Sequence, residues 1–280
     1  MNFTADFVFL DSGTGGIPYL MNLLEKFPLA KCVYVGDTAN FPYGEKTHEQ
    51  IVNAVLKCID KIIKKFSPKV IVLACNTMSV NCLDILREIY TNQIFVGTVP
   101  AIKLAAAVSV KRRIGLLATK STVEHPYNID LKNHFAADCT LILRGDAKLI
   151  SFIEHESFTA TEQERENACV DAVDFFKEND CDVIILGCTH FLNIKKEMQK
   201  ICGNCLQVVD SVEGVVNRAL NVYGDKDNDR QTLRQKKTFS SLSFLLNPPK
   251  LFVTGFNDKK DKKEYNEICS RYNLVFGGIL

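Results

Sequence analysis

A chain of 280 residues exceeds the usual size of one domain, so two domains of about 100–150 residues each are the starting expectation. With 46% apolar and 24% charged residues it can bury a sizeable core, and 34 Lys plus Arg against 33 Asp plus Glu leave a net charge of +1. That balance excludes the basic excess needed for non-specific binding to nucleic acid or anionic membrane, and eleven cysteines, an odd and scattered count, exclude a small secreted disulfide framework.

At the N-terminus, Met1–Asp6 carries no basic region, and the apolar run behind it, Phe7–Leu10, is too short for a secretory signal. No stretch approaches the roughly 20 apolar residues of a spanning helix. The chain is therefore expected in the cytoplasm with reduced thiols, which are mostly small buried hydrophobes and are reactive only in special surroundings. Short β-branched runs follow at Phe7–Leu10, Val33–Val35, Val70–Ala74, Ile94–Val96, Ile114–Leu117, Leu141–Leu143, Val183–Leu186 and Gln207–Val209. Their near-continuous apolarity predicts strands of parallel sheets covered on both faces. Between them Ile51, Val55, Ile59, Ile62 and Phe66 recur at helical spacing. Thr161–Lys177 is a second helix, with Glu162, Glu164 and Glu166 near its start and Asn179-Asp180 at its end. This alternation predicts an α/β protein.

The pattern also repeats. One strand ends in Asp11-Ser12-Gly13 and a later one in Ala118-Thr119-Lys120; each half then carries a strand with a cysteine at its carboxyl end, VIVLACNT (70–77) and VIILGCTH (183–190). From Asp11 to Cys75 is 64 residues and from Thr119 to Cys188 is 69, which predicts two pseudo-symmetric lobes. The last 55 residues do not repeat, and their KKDKKE run (Lys259–Glu264) reads as a solvated loop or helix start.

Ligands of open α/β sheets bind beyond the carboxyl ends of the strands, where Asp11, Asp37, Cys75 and Cys188 stand. Each cysteine occupies a strand-to-helix turn beside hydrogen-bonding residues and helix N-terminal amides. The bland reading of each is a buried structural thiol; two in equivalent positions favour chemistry. Two thiols facing one ligand can invert a stereocentre, one removing a proton and the other delivering one. Asp11 and His190 are the neighbours able to tune them, against the plainer roles of an Asx turn and a helix-start polar residue.

The runs LDSGTGG (10–16), GDTANFPYG (36–44), ACNT (74–77), LLATKST (116–122) and GCTH (187–190) resemble, in sequence and in order, those of the glutamate racemase branch of the cofactor-independent Asp/Glu racemase superfamily. The C-terminal FVTGFNDKK is similar to that family's last strand and turn. The resemblance implies interconversion of L- and D-glutamate for peptidoglycan synthesis, in a cytoplasmic homodimer, with no cofactor or metal. It implies two lobes, 1–97 plus 210–280 and 98–209, with the active site in the cleft between them. It makes Cys75 the base for the D-enantiomer and Cys188 the base for the L-enantiomer, assisted by Asp11 and His190, with Asp37 and Glu154 as further polar groups at the site. Ser12, Tyr43, Gly44, Asn76, Thr77, Thr119, Thr122 and Thr189, with Asp11 and His190, become the substrate-binding positions. The start of the first strand by Phe7 leaves no room for the activator-linked N-terminal extension of some relatives. Thr14, Met78 and Phe191 depart from the usual pattern, the last two where they can reshape the pocket wall or helix packing.

Other motifs carry less. Cys202-Gly203-Asn204-Cys205 lacks a second ligand pair for zinc and follows a helix where a redox pair would start one. The loop Gly13-Thr14-Gly15-Gly16 has neither dinucleotide nor P-loop spacing. His48, His125, His134 and His155 are scattered and fit surface or capping roles. The rivals to the racemase reading are an aspartate or hydantoin racemase, opposed by GDTANFPYG, and an amino-acid-binding protein with idle thiols, opposed by Asp11 and His190.

Overall fold

The first strand, β1 (Phe7–Asp11), is buried along its whole length. It pairs in parallel with β2 (Cys32–Gly36) on one side and β3 (Val70–Leu73) on the other. The structure, a computed structural model, describes residues 4–227, 248–256 and 261–280. Lys259 and Lys260 of the charge run and Asn257–Lys260 of the FVTGFNDKK segment lie outside the described residues, as do Met1–Phe3.

The described residues divide into two compact units, one made of 1–43, 47–98 and 212–280 and the other of 44–46 and 99–211. In the first, β4 (Ile94–Gly97) joins β3, while β9 (Lys250–Val253) and β10 (Val275–Ile279) extend the sheet beyond β2, giving the order β10-β9-β2-β1-β3-β4 with all pairs parallel. Side chains alternate across this sheet. Val8, Leu10, Val33, Val35, Ile71 and Leu73 meet α2 (His48–Phe66) and α3 (Asn76–Ile89) in one core. On the other face, Phe7 meets Phe27, just after α1 (Ile17–Lys26), edge-on and packs against Tyr223 of α10 (Val212–Asp227). The helix α2 begins in a full capping box between Thr47 and Gln50. Such a cap contributes about 1 kcal/mol, whereas each of the wholly buried Ile51, Val55, Ile59 and Ile62 contributes about 1.5–3 kcal/mol. Burial of the apolar stripe, not capping, holds this helix.

The second unit contains β5 (Arg113–Ala118), β6 (Thr140–Gly145), β7 (Val183–Leu186) and β8 (Gln207–Val209), in the parallel order β6-β5-β7-β8. Its connections are α4 (Ile102–Val108), α5 (Lys120–Glu124), α6 (Tyr127–Phe135), α7 (Ala147–His155), α8 (Glu162–Glu178) and α9 (Lys195–Cys202). Ile114, Leu116, Val183 and Ile185 pack against Ile102 and Ala105 of α4. The order within this sheet matches β2-β1-β3-β4 of the first: opening strand inside, second strand to one side, third and fourth to the other. The sequence repeat is thus a repeat of topology. Not every strand is covered on both faces as expected. The edge strand β6 is half exposed, because only one neighbour and partial helix cover reach it. The remaining helix, α11 (Asp261–Tyr272), precedes β10.

Candidate active site

In the first unit the site grows from the carboxyl ends of β1 and β3. Ladder pairing carries on past β3 through the Ala74 amide to the Leu10 carbonyl at 2.8 Å, so Cys75 emerges beside the loop that follows β1. Cys75 is extended (φ −131°, ψ 122°) and stands at the N-cap of α3. Its Sγ lies 3.8 Å from Ser12 Oγ. Asp11 is wholly buried. Its Oδ1 accepts from the Ser12 amide at 2.8 Å, and its Oδ2 accepts from the Gly16 amide at 2.7 Å and the Tyr34 hydroxyl at 3.0 Å. Position 16 has to be glycine, since a Cβ there would sit 2.8 Å from Ala74 Cβ and 3.0 Å from that carboxylate oxygen. Next to Cys75, the Asn76 side chain is 2% exposed, and neither its amide nitrogen nor its carbonyl oxygen has a hydrogen-bond partner among the described residues. The Thr77 carbonyl accepts from Asn81 Nδ2 at 2.8 Å, and Asn81 Oδ1 lies 2.9 Å from His48 Nδ1, so His48 braces the first turn of α3.

Asp37 is a loop hub. Its carboxylate accepts from Tyr43 at 2.5 Å, Thr254 at 2.6 Å and Asn40 at 3.1 Å. These bonds fix the Thr38–Asn40 turn and hold the Tyr43 hydroxyl in place. Burial, reinforced by the Asp37 charge, raises the Tyr43 pKa far above its ordinary value, so the ring stays a phenol and a donor.

In the second unit Cys188 follows β7 as Cys75 follows β3. The chain after it forms a 3-10 turn, Thr189–Ile194, before α9 begins, rather than entering an α-helix directly. Cys188 Sγ lies 3.4 Å from His190 Nδ1, and His190 Nε2 lies 2.9 Å from Glu154 Oε2 of α7. Cys188, His190 and Glu154 are all buried. Burial alone favours the neutral imidazole, but the Cys188 sulfur as thiolate and the Glu154 carboxylate outweigh it and push the His190 pKa well above the ordinary value. Nε2 faces the Glu154 carboxylate and Nδ1 faces the Cys188 sulfur, so the imidazole stands where it can exchange a proton with that thiol. Thr119 caps α5, accepting from the Thr122 amide at 3.1 Å and donating its hydroxyl to Thr122 Oγ1 at 2.9 Å. Thr122 and Thr189 are buried, and Gly44 lies against Thr119.

The sequence profile of the Asp/Glu/Hydantoin racemase family matches residues 22–219. The chain belongs to this family. It is 43% identical to a glutamate racemase of Treponema pallidum over 98% of this chain and 96% of the relative, and 38% identical to one from Actinobacillus pleuropneumoniae over 74% of this chain and 78% of that one. Among solved structures it is similar to Escherichia coli glutamate racemase in complex with L-glutamate and the activator UDP-MurNAc-Ala, with a TM-score of 0.78 and 25% identity over 99% of this chain and 98% of that one. It also has the fold of the Francisella tularensis glutamate racemase in complex with D-glutamate, with a TM-score of 0.74 and 22% identity over 100% and 97% of the two chains.

The residues expected at the site from the sequence fall into two sets, Asp11, Ser12, Asp37, Tyr43, Cys75, Asn76 and Thr77 in the first unit and Gly44, Thr119, Thr122, Glu154, Cys188, Thr189 and His190 in the second. Other thiols are of a different kind. Burial raises the pKa of Cys32 and Cys58 well above the ordinary thiol value, of Cys82 and Cys169 to about 12, and of Cys181, Cys202 and Cys269 to about 11. These remain thiols at neutral pH. Cys202 closes α9, and Cys205 turns its Sγ to the Cys202 carbonyl at 3.2 Å. Met78 belongs to the core beneath α2 and α3, and Phe191 is wholly buried. Sequence reading missed Tyr34, Asn40 and Thr254, polar partners of the two aspartates. Asn128 was missed as well; it donates through Nδ2 to the Thr122 carbonyl. For Tyr34 and Thr254 the signal was a polar group inside an otherwise apolar strand or at its end; Asn40, in the turn after Asp37, and Asn128, in α6, gave none.

Proposed function

We propose that this chain interconverts L- and D-glutamate by a two-base mechanism in which Cys75 and Cys188 are the acid–base groups. One sulfur, as thiolate, removes the α-proton and becomes a thiol. The other, a thiol, gives its proton to the opposite face of the α-carbon and becomes the thiolate. The reverse direction exchanges the roles, so no net proton is consumed. The observation that carries the reading is the equivalent position of the two thiols, each two residues beyond the third strand of a repeated four-strand order, each with a polar partner of its own. Cys188 has the His190–Glu154 pair, whose imidazole stands within reach of its proton. Cys75 has Ser12, tied to the buried Asp11. Asn76, with both amide groups unspent, suits a ligand that is both carboxylate and amine. The hydroxyls of Ser12, Tyr43, Thr77, Thr119, Thr122 and Thr189 extend that set of donors, and Asp37 serves by holding Tyr43. Carbanion-like charge at the α-carbon then develops against preorganised donors.

Glutamate rather than aspartate or a hydantoin is supported by the glutamate racemases at 43% and 38% identity and by GDTANFPYG. A cytoplasmic homodimer supplying D-glutamate to peptidoglycan belongs to the same reading, on the family resemblance. No helix among the described residues is long and apolar enough to cross a membrane.

In heavy water, L-glutamate incubated with the purified protein is expected to gain deuterium at the α-carbon and lose optical rotation, while L-aspartate does neither. Cys75→Ser should lower turnover by about 10²–10⁴-fold, the scale of a lost acid–base group, with its unfolding midpoint retained. Binding of glutamate without exchange would refute the reading.

A further inference from the structure

We propose that Tyr34 is a positioning residue for proton transfer at Cys75, acting through the Asp11 carboxylate; the inference rests on the two-thiol reading above. Tyr34 sits in the middle of β2, opposite Phe9 in the ladder and therefore on the same face of the sheet as Asp11. It is wholly buried, one of the largest side chains to be so. A strand covered on both faces asks only for an apolar residue here, and a buried phenol has to find partners for its hydroxyl. Its hydroxyl meets Asp11, at the end of β1, and Gly13 and Gly16, in the loop that leads to α1. Its single proton faces Asp11 Oδ2 at 3.0 Å and the Gly13 carbonyl at 3.1 Å, and its oxygen accepts from the Gly16 amide at 3.0 Å.

The hydroxyl thus joins three points of a loop whose second residue, Ser12, faces Cys75 Sγ. With the Ser12 and Gly16 amides it completes a set of donors on Asp11, two on Oδ2 and one on Oδ1. A carboxylate that receives three such bonds is held as an anion in one orientation. A fixed negative charge one residue from Ser12 opposes ionisation of the nearby thiol and so makes its thiolate a stronger base. The carboxylate does this without leaving its place. Tyr34 acts through that carboxylate; it sets where the charge stands.

Tyr34→Phe tests this with a ring of nearly the same shape. Loss of one charge-assisted hydrogen bond should lower kcat about tenfold, with KM within about twofold of the wild-type value. The distinguishing readout is the primary deuterium isotope effect with each enantiomer labelled at the α-carbon. If Tyr34 serves Cys75, the effect rises for D-glutamate, whose α-proton Cys75 removes on the family resemblance, and falls for L-glutamate, where Cys75 only delivers the returning proton and its slowed step masks the cleavage by Cys188. A folded variant whose two isotope effects move together, or not at all, would overturn the proposal. A variant that loses its fold by circular dichroism would overturn it too, by assigning the hydroxyl to folding. Should the wild-type protein itself fail to exchange the α-proton of glutamate, the two-thiol reading fails, a result separable from any of these because it is read before the variant is made.

Discussion

At the scale of single residues, polar side chains in this protein are buried for two different purposes, and stability measurements separate them. Asp11, Asp37 and Glu154 are buried with their charge matched by donors or by an imidazolium. Asn76 is buried with its amide unmatched among the described residues, at a cost of about 1–3 kcal/mol. Asn76→Ala is therefore expected to leave the thermal unfolding midpoint unchanged or higher, while raising KM for glutamate at least about tenfold. A midpoint several degrees lower with unchanged KM would reassign the residue to the fold. Glu154 supports the proton on His190. Replacing it by Gln removes one of the negative charges that raise the imidazole pKa, so that pKa falls, and the alkaline limb of the kcat/KM profile should move to lower pH by about one unit or more. The sign also fixes the stability linkage. The pair's contribution is complete below about pH 6.5, the value of an unperturbed histidine, and is lost as pH rises through the higher folded value. Of these residues, Asp11, Cys75, Cys188 and His190 were legible in sequence because each follows an apolar strand. Tyr34 was not, because within Cys32–Gly36 it reads as one more strand former, and nothing local says that its hydroxyl meets Asp11.

At the scale of elements, one tight constraint is the contact between β5 and α8. A Cβ on Gly115 would stand 2.4 Å from the ring of the wholly buried Phe176, so strand and helix touch through a missing side chain. Gly115→Ala should destabilise by about 1–3 kcal/mol through overpacking. Adding Phe176→Leu should recover part of that loss in urea unfolding; an additive double variant would show that the two residues do not share the space. The capping box of Thr161 and Glu164 was foreshadowed in the sequence, because acidic residues crowd the first turn of α8. The strands β9 and β10 were not foreshadowed by periodicity. The first is four residues long and follows two prolines, and the second contains Gly277 and Gly278 and is half exposed, as an edge strand is. Edge strands lack the two-sided apolar cover that makes interior strands readable.

At the scale of the molecule, two four-strand orders of the same kind underlie the equivalent cysteines; the repeat could be read from matching strand-end motifs and their spacing, the strand orders could not. Nor could the addition of β9 and β10 to one sheet, since it depends on the return of the chain to the first unit at residue 212, after 99–211 have formed the second, and no local pattern signals that return. That return has a consequence for biosynthesis. The Asp37 hub that holds Tyr43 takes one of its bonds from Thr254, 217 residues downstream. At about 5–20 residues per second, a ribosome needs roughly 10–40 s to cover that interval. Throughout it the nascent chain carries Asp37 and Tyr43 without the hydroxyl that completes their clasp, so this loop reaches its final form only after Thr254 has been made.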